Sequence, residues 1–426
     1  MSPHDADANV MSDEQFRMFI RAYQLESGRR LLITRKGLGD EAIYFYAEQY
    51  ALVRLTPQAN RQLVSARGEL LTFHAANLQL RDAQSNGDFG REAQDYREEQ
   101  VTFAGSEPHT LAGSLLIPHG DDPHPAVILY HLANVHERDY YRLYADHFAR
   151  NGIAALIYDK RGHGDSTGEA LGSQIYPLIE DADAAFRFLQ SHPQIDPQRI
   201  GVWGMSNGGW VDLGVAARHP DATFVMNLSA SGVPPSHQEQ IRRVNVSRLV
   251  GASPNQLAFL DTFWQLLFAF LIHSEWTPEL ETALARIQQE PVWRVLLADT
   301  GGAWVLDVPI AEIKREYGSA WQDGGFDPAP YYAQLKCPVL CLWGEDDTVL
   351  PVAESIDQIQ AALQASQHPD WTVRTYPNAT HLLYLNRANV DEQTNEAMHD
   401  QMQDVHFPAG LFDYLTAWAK QRLRLP

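Results

Sequence analysis

The sequence predicts an α/β fold: a mostly parallel sheet with helices on both faces, a small β-rich unit in front of it and a helical insertion within it. Two observations carry this. From Val101 onward, short apolar runs alternate with segments of helical periodicity, the pattern of a sheet layered between helices. Several runs, such as "PAVILYH" and "CPVLCLWG", are apolar almost without interruption, as strands buried on both faces must be. The 426 residues exceed what one hydrophobic core usually supports, about 250 to 300 residues, so several folding units are expected.

Residues 12–95 read as an N-terminal β-rich domain. Between Arg29 and Leu80 lie "RRLLITR", "AIYFYAE", "ALVRL", "RQLVSA" and "ELLTFHAA", separated by turn residues at short, even intervals. At roughly 80 residues the unit is too short for a propeller, which needs at least four blades of about 40 residues. The polar stretch "RDAQSNGDFGREAQDYREE" has the composition of a linker and marks the boundary. Residues 96–231 form the first part of the α/β core, with "PAVILYH", "GIAALIYD", "RIGVWG" and "TFVMNLSA" as strands. In "YPLIEDADAAFRFLQSHP", the positions Leu178, Ile179, Ala182, Ala185, Phe186 and Leu189 follow helical spacing, and Pro193 stops the run. Residues 232–328 break the alternation. They are helical and rich in aromatics, among them Phe263, Trp264, Phe268, Trp276 and Trp293, and read as an inserted cap whose aromatics are mainly core. Residues 329–426 resume the core with "CPVLCLWG" and "WTVRTYP".

Composition narrows the partners. Hydrophobic residues at 45% and charged residues at 20% are ordinary for a globular chain. A net charge of −21 opposes nucleic acid and anionic membranes, which attract Lys and Arg. "MSPHDADANVMSDEQ" shows no basic region followed by an apolar run, so no signal peptide is visible. The apolar stretch "LAFLDTFWQLLFAFLI" is interrupted by Asp261 and Gln265 and falls short of the roughly 20 residues of a membrane span. A buried or lid helix is expected there. The two cysteines, Cys337 and Cys341, share one strand run. Their α-carbons would stand roughly 13 Å apart, beyond the roughly 7 Å limit for a disulfide. Two free thiols fit a reducing, cytoplasmic location.

Two stretches match G-x-S-x-G, "GDSTG" around Ser166 and "GMSNG" around Ser206. A nucleophile elbow requires a strand, the motif and a helix in direct succession. Ser166 fails, because loop residues separate it from its strand and the next helix starts only near Tyr176. Ser206 passes: "RIGVW" runs straight into Gly204, and "GGWVDLGVAARHP" reads as a helix. A base and an orienting acid are then expected beyond the carboxyl ends of later strands. Glu345, Asp346 and Asp347 follow "CPVLCLW", and His381 follows "WTVRTYP". His368 precedes its strand, and His399 and His406 lie far from any strand end, which leaves His381 as the base. The order Ser, Asp, His suits this architecture. Oxyanion donors are expected from the backbone N–H of Asn207 and from the loop after "PAVILYH", with Ala133 preferred to Leu132. His131 and His136 could suggest a metal, but no carboxylate or cysteine set accompanies them at ligand spacing. No metal and no cofactor are expected.

Through "VWGMSNGG", "YDKRGHGDSTG", "LWGEDDTVLP" and "ATHLLY", the chain resembles the α/β-hydrolases. More narrowly, it resembles bacterial serine esterases of the dienelactone-hydrolase and prolyl-oligopeptidase-related branch. The resemblance runs from about Val101 to the C-terminus, the cap excepted. It implies that "YDKRGHGDSTG" is a loop near the active-site rim. It also implies that the acid is the third residue after the glycine of G-x-x-D-x-x-x-P, here Asp347 in preference to Asp346, with Pro351 matching the proline. Two positions depart from the pattern. The usual His-Gly of the oxyanion loop is His131-Leu132, and the nucleophile is serine where a dienelactone-opening member has cysteine. The implied function is a carboxylesterase that hydrolyses a small-molecule ester through an acyl-enzyme on Ser206. An amide-cleaving peptidase and an acyl-CoA thioesterase are the alternatives, the first weakened by the missing propeller and the second by the acidic composition. A non-catalytic binding protein on a hydrolase fold ranks last. The N-terminal unit leaves two roles open, framing the substrate entrance and mediating a homodimer. The natural acyl and alcohol groups stay open.

Overall fold

The structure, a computed structural model, describes residues 12–36, 42–58, 61–74, 77–82, 87–106, 108–121, 123–170, 174–385 and 403–426. His399 and the last two residues of "ELLTFHAA" lie outside the described residues.

The N-terminal strands are β1 (Ala22–Leu25), β2 (Arg30–Lys36), β3 (Ile43–Glu48), β4 (Ala51–Gln58), β5 (Gln62–Ser65), β6 (Leu70–His74), β7 (Asn77–Arg81) and β8 (Asp88–Glu92). Each pairs antiparallel with the next, and β8 returns to β1. The unit is therefore a closed up-and-down barrel, which removes open edges. Side chains alternate across its wall as a period of two requires. Leu31 and Ile33 of β2 and Tyr44 and Tyr46 of β3 join the barrel's own core. Their neighbours Leu32, Phe45 and Ala47 pack instead into the core of the α/β unit.

The polar stretch expected to be a linker is not one. It carries β8 and the first residues of β9 (Tyr96–Ala104). Its "DFGRE" escapes an apolar pattern because only Gly90 is buried, lying against Leu25 of β1. β1 and β7 were likewise not among the predicted runs.

The remaining strands of the α/β sheet are β10 (Thr110–Pro118), β11 (His124–Tyr130), β12 (Ala154–Tyr158), β13 (Ile195–Met205), β14 (Val225–Leu228), β15 (Val339–Gly344) and β16 (Trp371–Tyr376). Their order is β16-β15-β14-β13-β11-β12-β10-β9. β10 pairs antiparallel with β9 and β12, and all other neighbours are parallel. The two faces feed separate cores: Val127 and Leu129 of β11 go to one, Ala126, Ile128 and Tyr130 to the other. Helices Ile175–Ser191 and Gly208–Arg218 form where the helical spacing predicts them. A last strand, β17 (Asp404–His406), leaves this unit and pairs with Ala51–Val53 of β4. Cys337 and Cys341 are free and buried, and burial pushes both thiols up to about 12.

Between β14 and β15 the chain builds helices Pro235–Leu249, Pro254–His273, Pro278–Gln289, Val292–Leu297 and Ile310–Glu316. They share a core of their own around Phe263, Trp264, Phe268 and Trp293, while Trp276 is only partly buried against it. The second helix is longer than its apolar run suggested. Ser253 caps it through a capping box with Gln256, and Pro254 opens its first turn, which adds residues before Leu257. At 20 residues it is long and apolar enough, by length and composition, to cross a membrane. In this fold Leu260, Phe263, Trp264, Leu267, Phe268, Phe270 and Leu271 are buried.

Buried ion pairs fasten the barrel to the α/β unit. Arg30 of β2 reaches Asp146 at 2.6 and 3.0 Å, and that carboxylate also accepts from Tyr96 Oη and Arg150 Nε. Burial raises the Asp146 carboxyl, but the Arg30 guanidinium more than offsets this and holds it below the ordinary value. Arg35 spans Asp13 and Asp139. Removing one partner of such a pair leaves a buried charge uncompensated, at a cost of about 3 kcal/mol. Arg30→Met is therefore expected to lower the melting temperature by several degrees, read by calorimetry against the wild type. An unchanged Tm would mean that Arg150 and Tyr96 suffice to hold Asp146.

Candidate active site

β13 ends at Met205, and helix Gly208–Arg218 starts three residues later. Ser206, between them, takes a left-handed φ of +53°, a conformation unusual for a residue with a side chain. Hydrogen bonds hold the turn: Ser206 N–H donates to the Leu228 carbonyl at 2.9 Å, and Gly209 N–H to the Ser206 carbonyl at 2.9 Å. The flanking glycines are sterically required. A Cβ on Gly208 would stand 2.6 Å from the Tyr130 carbonyl oxygen, and one on Gly204 would run into the Gly208 carbonyl.

Three candidate side chains meet above this turn. His381 Nε2 lies 3.0 Å from Ser206 Oγ, and its Nδ1 lies 2.8 Å from Asp347 Oδ2. The other Asp347 oxygen accepts from the N–H groups of Val349 and Leu350 at 2.9 and 3.1 Å. Asp347 is thus the carboxylate at the ring, and its side chain is fully buried. At the neighbouring Asp346 the backbone N–H donates to the Ala379 carbonyl. His368 accepts from the Asp370 N–H, and His406 lies on β17. A chain of bonds of this kind can pass the hydroxyl proton to the imidazole while the carboxylate holds the ring and its tautomer.

The two expected oxyanion donors flank the same space. Asn207 is the N-cap residue of helix Gly208–Arg218, whose N-terminus favours negative charge. In the loop after β11, Leu132 N–H donates to Tyr141 Oη at 2.9 Å, so that donor is already engaged and Ala133 is the better candidate. Leu132 is not among the residues of positive φ, which explains how a leucine fits where the related pattern has glycine. His131, buried, bonds through Nε2 to the Tyr158 carbonyl, and His136 stacks on His163.

Ser166 sits elsewhere. Its Oγ donates to the Asp159 carbonyl at 2.7 Å and accepts from Ala112 N–H at 2.9 Å. It is a buried brace that ties its loop to β10. The loop adjoins the site through Lys160, whose Nζ lies against the carbonyls of Leu132 and Ala133.

Ser206, Asn207, Ala133 and His381 line a cavity of about 710 Å³. The helical segment adds Glu239, Arg242, Arg243, Phe268, Trp304 and Trp321, and the barrel adds Lys36. Arg242 and Arg243 share Glu239, at 2.8 and 3.4 Å, and Arg243 lies over the rings of Trp264 and Phe268. Burial lowers the Arg243 guanidinium in spite of Glu239. Sequence reading singled out none of these charged wall residues. Two adjacent arginines inside an aromatic-rich helical segment, three residues after a glutamate, were the available signal.

Residues 121–275 match the family described as "Serine aminopeptidase, S33". The quorum-quenching protein AidA of Acinetobacter baumannii is 34% identical over 269 residues, covering 62% of this chain and 82% of that protein. The chain belongs to the α/β-hydrolase superfamily. Shorter matches reach other relatives. Thiohydrolase aneE of Aspergillus aculeatus is 34% identical over 119 residues, 28% of this chain and 36% of that protein, so the match spans about a third of its length. Esterase FrsA of Klebsiella pneumoniae is 33% identical over 112 residues, 26% of each chain. Among solved structures, the α/β hydrolase GrgF from Penicillium superposes with a TM-score of 0.47 at 17% identity, over 77% of this chain and all of that one.

In this α/β-hydrolase the two G-x-S-x-G matches should separate by experiment. Ser166→Ala removes both bonds of a buried hydroxyl, which costs about 1–3 kcal/mol. It should lower the melting temperature while leaving Ser206 open to a fluorophosphonate probe. Loss of labelling in a folded Ser166→Ala protein would reverse the assignment.

Proposed function

We propose that this hydrolase cleaves carboxylic esters through a Ser206-His381-Asp347 triad and an acyl-enzyme intermediate. The observation that carries the reading is the continuous hydrogen-bonded path from Ser206 Oγ through His381 to Asp347, with Ser206 and His381 on the wall of one cavity. His381 Nε2 takes the hydroxyl proton as Oγ attacks the ester carbonyl, and the imidazolium formed is stabilised by the Asp347 carboxylate. The tetrahedral oxygen faces the N–H groups of Ala133 and Asn207, each contributing about 3 kcal/mol. Collapse expels the alcohol, which leaves with the proton held on His381. Water, deprotonated by the same ring, then releases the acid and restores Ser206.

The helical segment acts as the cap in this reading. Phe268, Leu271, Trp304 and Trp321 offer an acyl or aromatic group an apolar wall. Lys36 on the cavity wall favours a framing role for the barrel over a purely dimerising one. A thioester is the second reading, favoured by two relatives whose names are thiohydrolases, aneE and apmlB.

Ser206→Ala is expected to abolish turnover of short-chain nitrophenyl esters with the melting temperature retained, and full activity in that variant would overturn the assignment. Asp347→Asn should lower kcat by about 10⁴-fold, because the ring is then held in the wrong tautomer. Steady-state kinetics on matched oxygen and thiol esters would separate the two readings.

A further inference from the structure

We infer that Lys160 is a positioning residue that aims the oxyanion loop, its buried amine gripping the loop's carbonyls from behind so that the Ala133 N–H faces the cavity. The inference rests on the ester-hydrolase reading above and deepens it.

Lys160 is 2% exposed. Its Nζ donates to the Leu132 carbonyl at 2.9 Å and to the Ala133 carbonyl at 3.2 Å. In a planar trans peptide the C=O and the following N–H point in opposite directions. Holding the Leu132 oxygen therefore turns the Ala133 N–H away from Lys160, and holding the Ala133 oxygen does the same to Asn134. Ala133 and Asn134 both line the cavity, whereas Lys160 does not. The away side is consequently the side of Ser206.

The rest of the loop is tied just as closely. Leu132 N–H donates to Tyr141 Oη, which donates in turn to the Val135 carbonyl. Lys160 N–H donates to the His136 carbonyl at 2.9 Å. These bonds fix the two ends of the loop, and Lys160 Nζ fixes the peptides between them. Burial pulls the Lys160 amine down to about 7 against the attraction of Glu137, so this side chain sits where packing alone would favour an apolar residue. Two inward carbonyls account for a donor there.

The test compares wild type with Lys160→Met, which keeps the chain length but removes every donor. Measured on a nitrophenyl ester, kcat should fall by about 10²-fold, the order seen when an oxyanion donor is lost, with KM nearly unchanged. A trifluoromethyl ketone, which forms a tetrahedral adduct on the serine, should bind more weakly by the same factor. A purely structural role would instead lower the melting temperature and leave kcat per folded molecule intact, and that result would overturn the inference. Should the methionine variant fail to fold, Lys160→Gln decides, because its amide is one atom short of gripping both carbonyls: a reduced kcat at constant KM supports the clamp, an unchanged kcat sinks it. A wild type inert toward esters counts against the hydrolase reading itself, whereas an active wild type with unaffected variants counts against the clamp alone.

Discussion

At Ser206 the backbone turns left-handed between a strand buried on both faces and a helix buried along most of its length, and the geometry of the site depends on that turn. A side-chain-bearing residue held in such a conformation costs about 1–3 kcal/mol and persists only where its surroundings over-determine it. Here they do. Ser206 N–H is held by the end of β14, and Gly208 is pressed against the carbonyl of Tyr130 at the end of β11. The serine is thereby fixed relative to both neighbouring strands. Because β15 and β16 run parallel to them, the loops bearing Asp347 and His381 emerge at the same edge of the sheet. Three residues far apart in sequence meet because parallel strands share one carboxyl end.

Support for the turn continues below it. Asp212, on the helix after Ser206, is fully buried, and burial raises its carboxyl well above the ordinary value. Asn227 of β14 turns its amide nitrogen to both Asp212 oxygens, at 3.1 and 2.6 Å, and its oxygen to the Tyr332 hydroxyl at 2.8 Å. Tyr332 in turn lies against Cys341 of β15. A polar network is tolerable in a core when its members are satisfied, and this one ties the helix to two strands. The indoles of Trp210 and Trp343 donate to the carbonyls of Ser231 and Ala230 just beyond β14. They fix the point where the chain leaves the sheet for the helical segment.

What could be read from the sequence follows burial. β11 to β15 stand out because both faces are covered, leaving nearly continuous apolar runs. β7 and β8 do not, since "NLQLR" and "DFGRE" bury little more than their inward residues. Barrel closure was beyond local pattern altogether, because it depends on pairing β8 with β1, and so was the ninth strand, β17, which reaches β4 from the far end of the chain. Ser206 and His381 were legible from their places at strand ends. Residue placement alone left Glu345, Asp346 and Asp347 open; the family resemblance favoured Asp347, the carboxylate at which the turn aims two N–H groups. Lys160 and Tyr141 gave no signal, since a lysine in a polar motif reads as solvated and a tyrosine as packing. The ion pairs of Arg30 and Arg35 were equally silent. A buried pair adds little over an apolar contact of the same shape; these pairs join β2 to the α/β unit, that of Arg35 one residue before Lys36, which lines the cavity.

The cavity wall combines strong local charges with no net charge. Lys36, Arg242 and Arg243 stand against Glu239, Asp299 and Asp323. The arginines are occupied by Glu239, and Arg242 also donates to the Thr300 carbonyl. Asp323 is tied to the first N–H of helix Ile175–Ser191 at 2.6 Å, and burial raises its carboxyl. An anionic ligand at the arginines would have to compete with Glu239, and a cationic one at Glu239 would have to displace them. In the ester-hydrolase reading proposed above, a neutral substrate disturbs neither and lays its apolar part on Phe268, Trp304 and Trp321. Selection in such a site falls to shape and hydrogen bonding, while the acidic exterior, which carries the chain's overall charge of −21, acts only at long range.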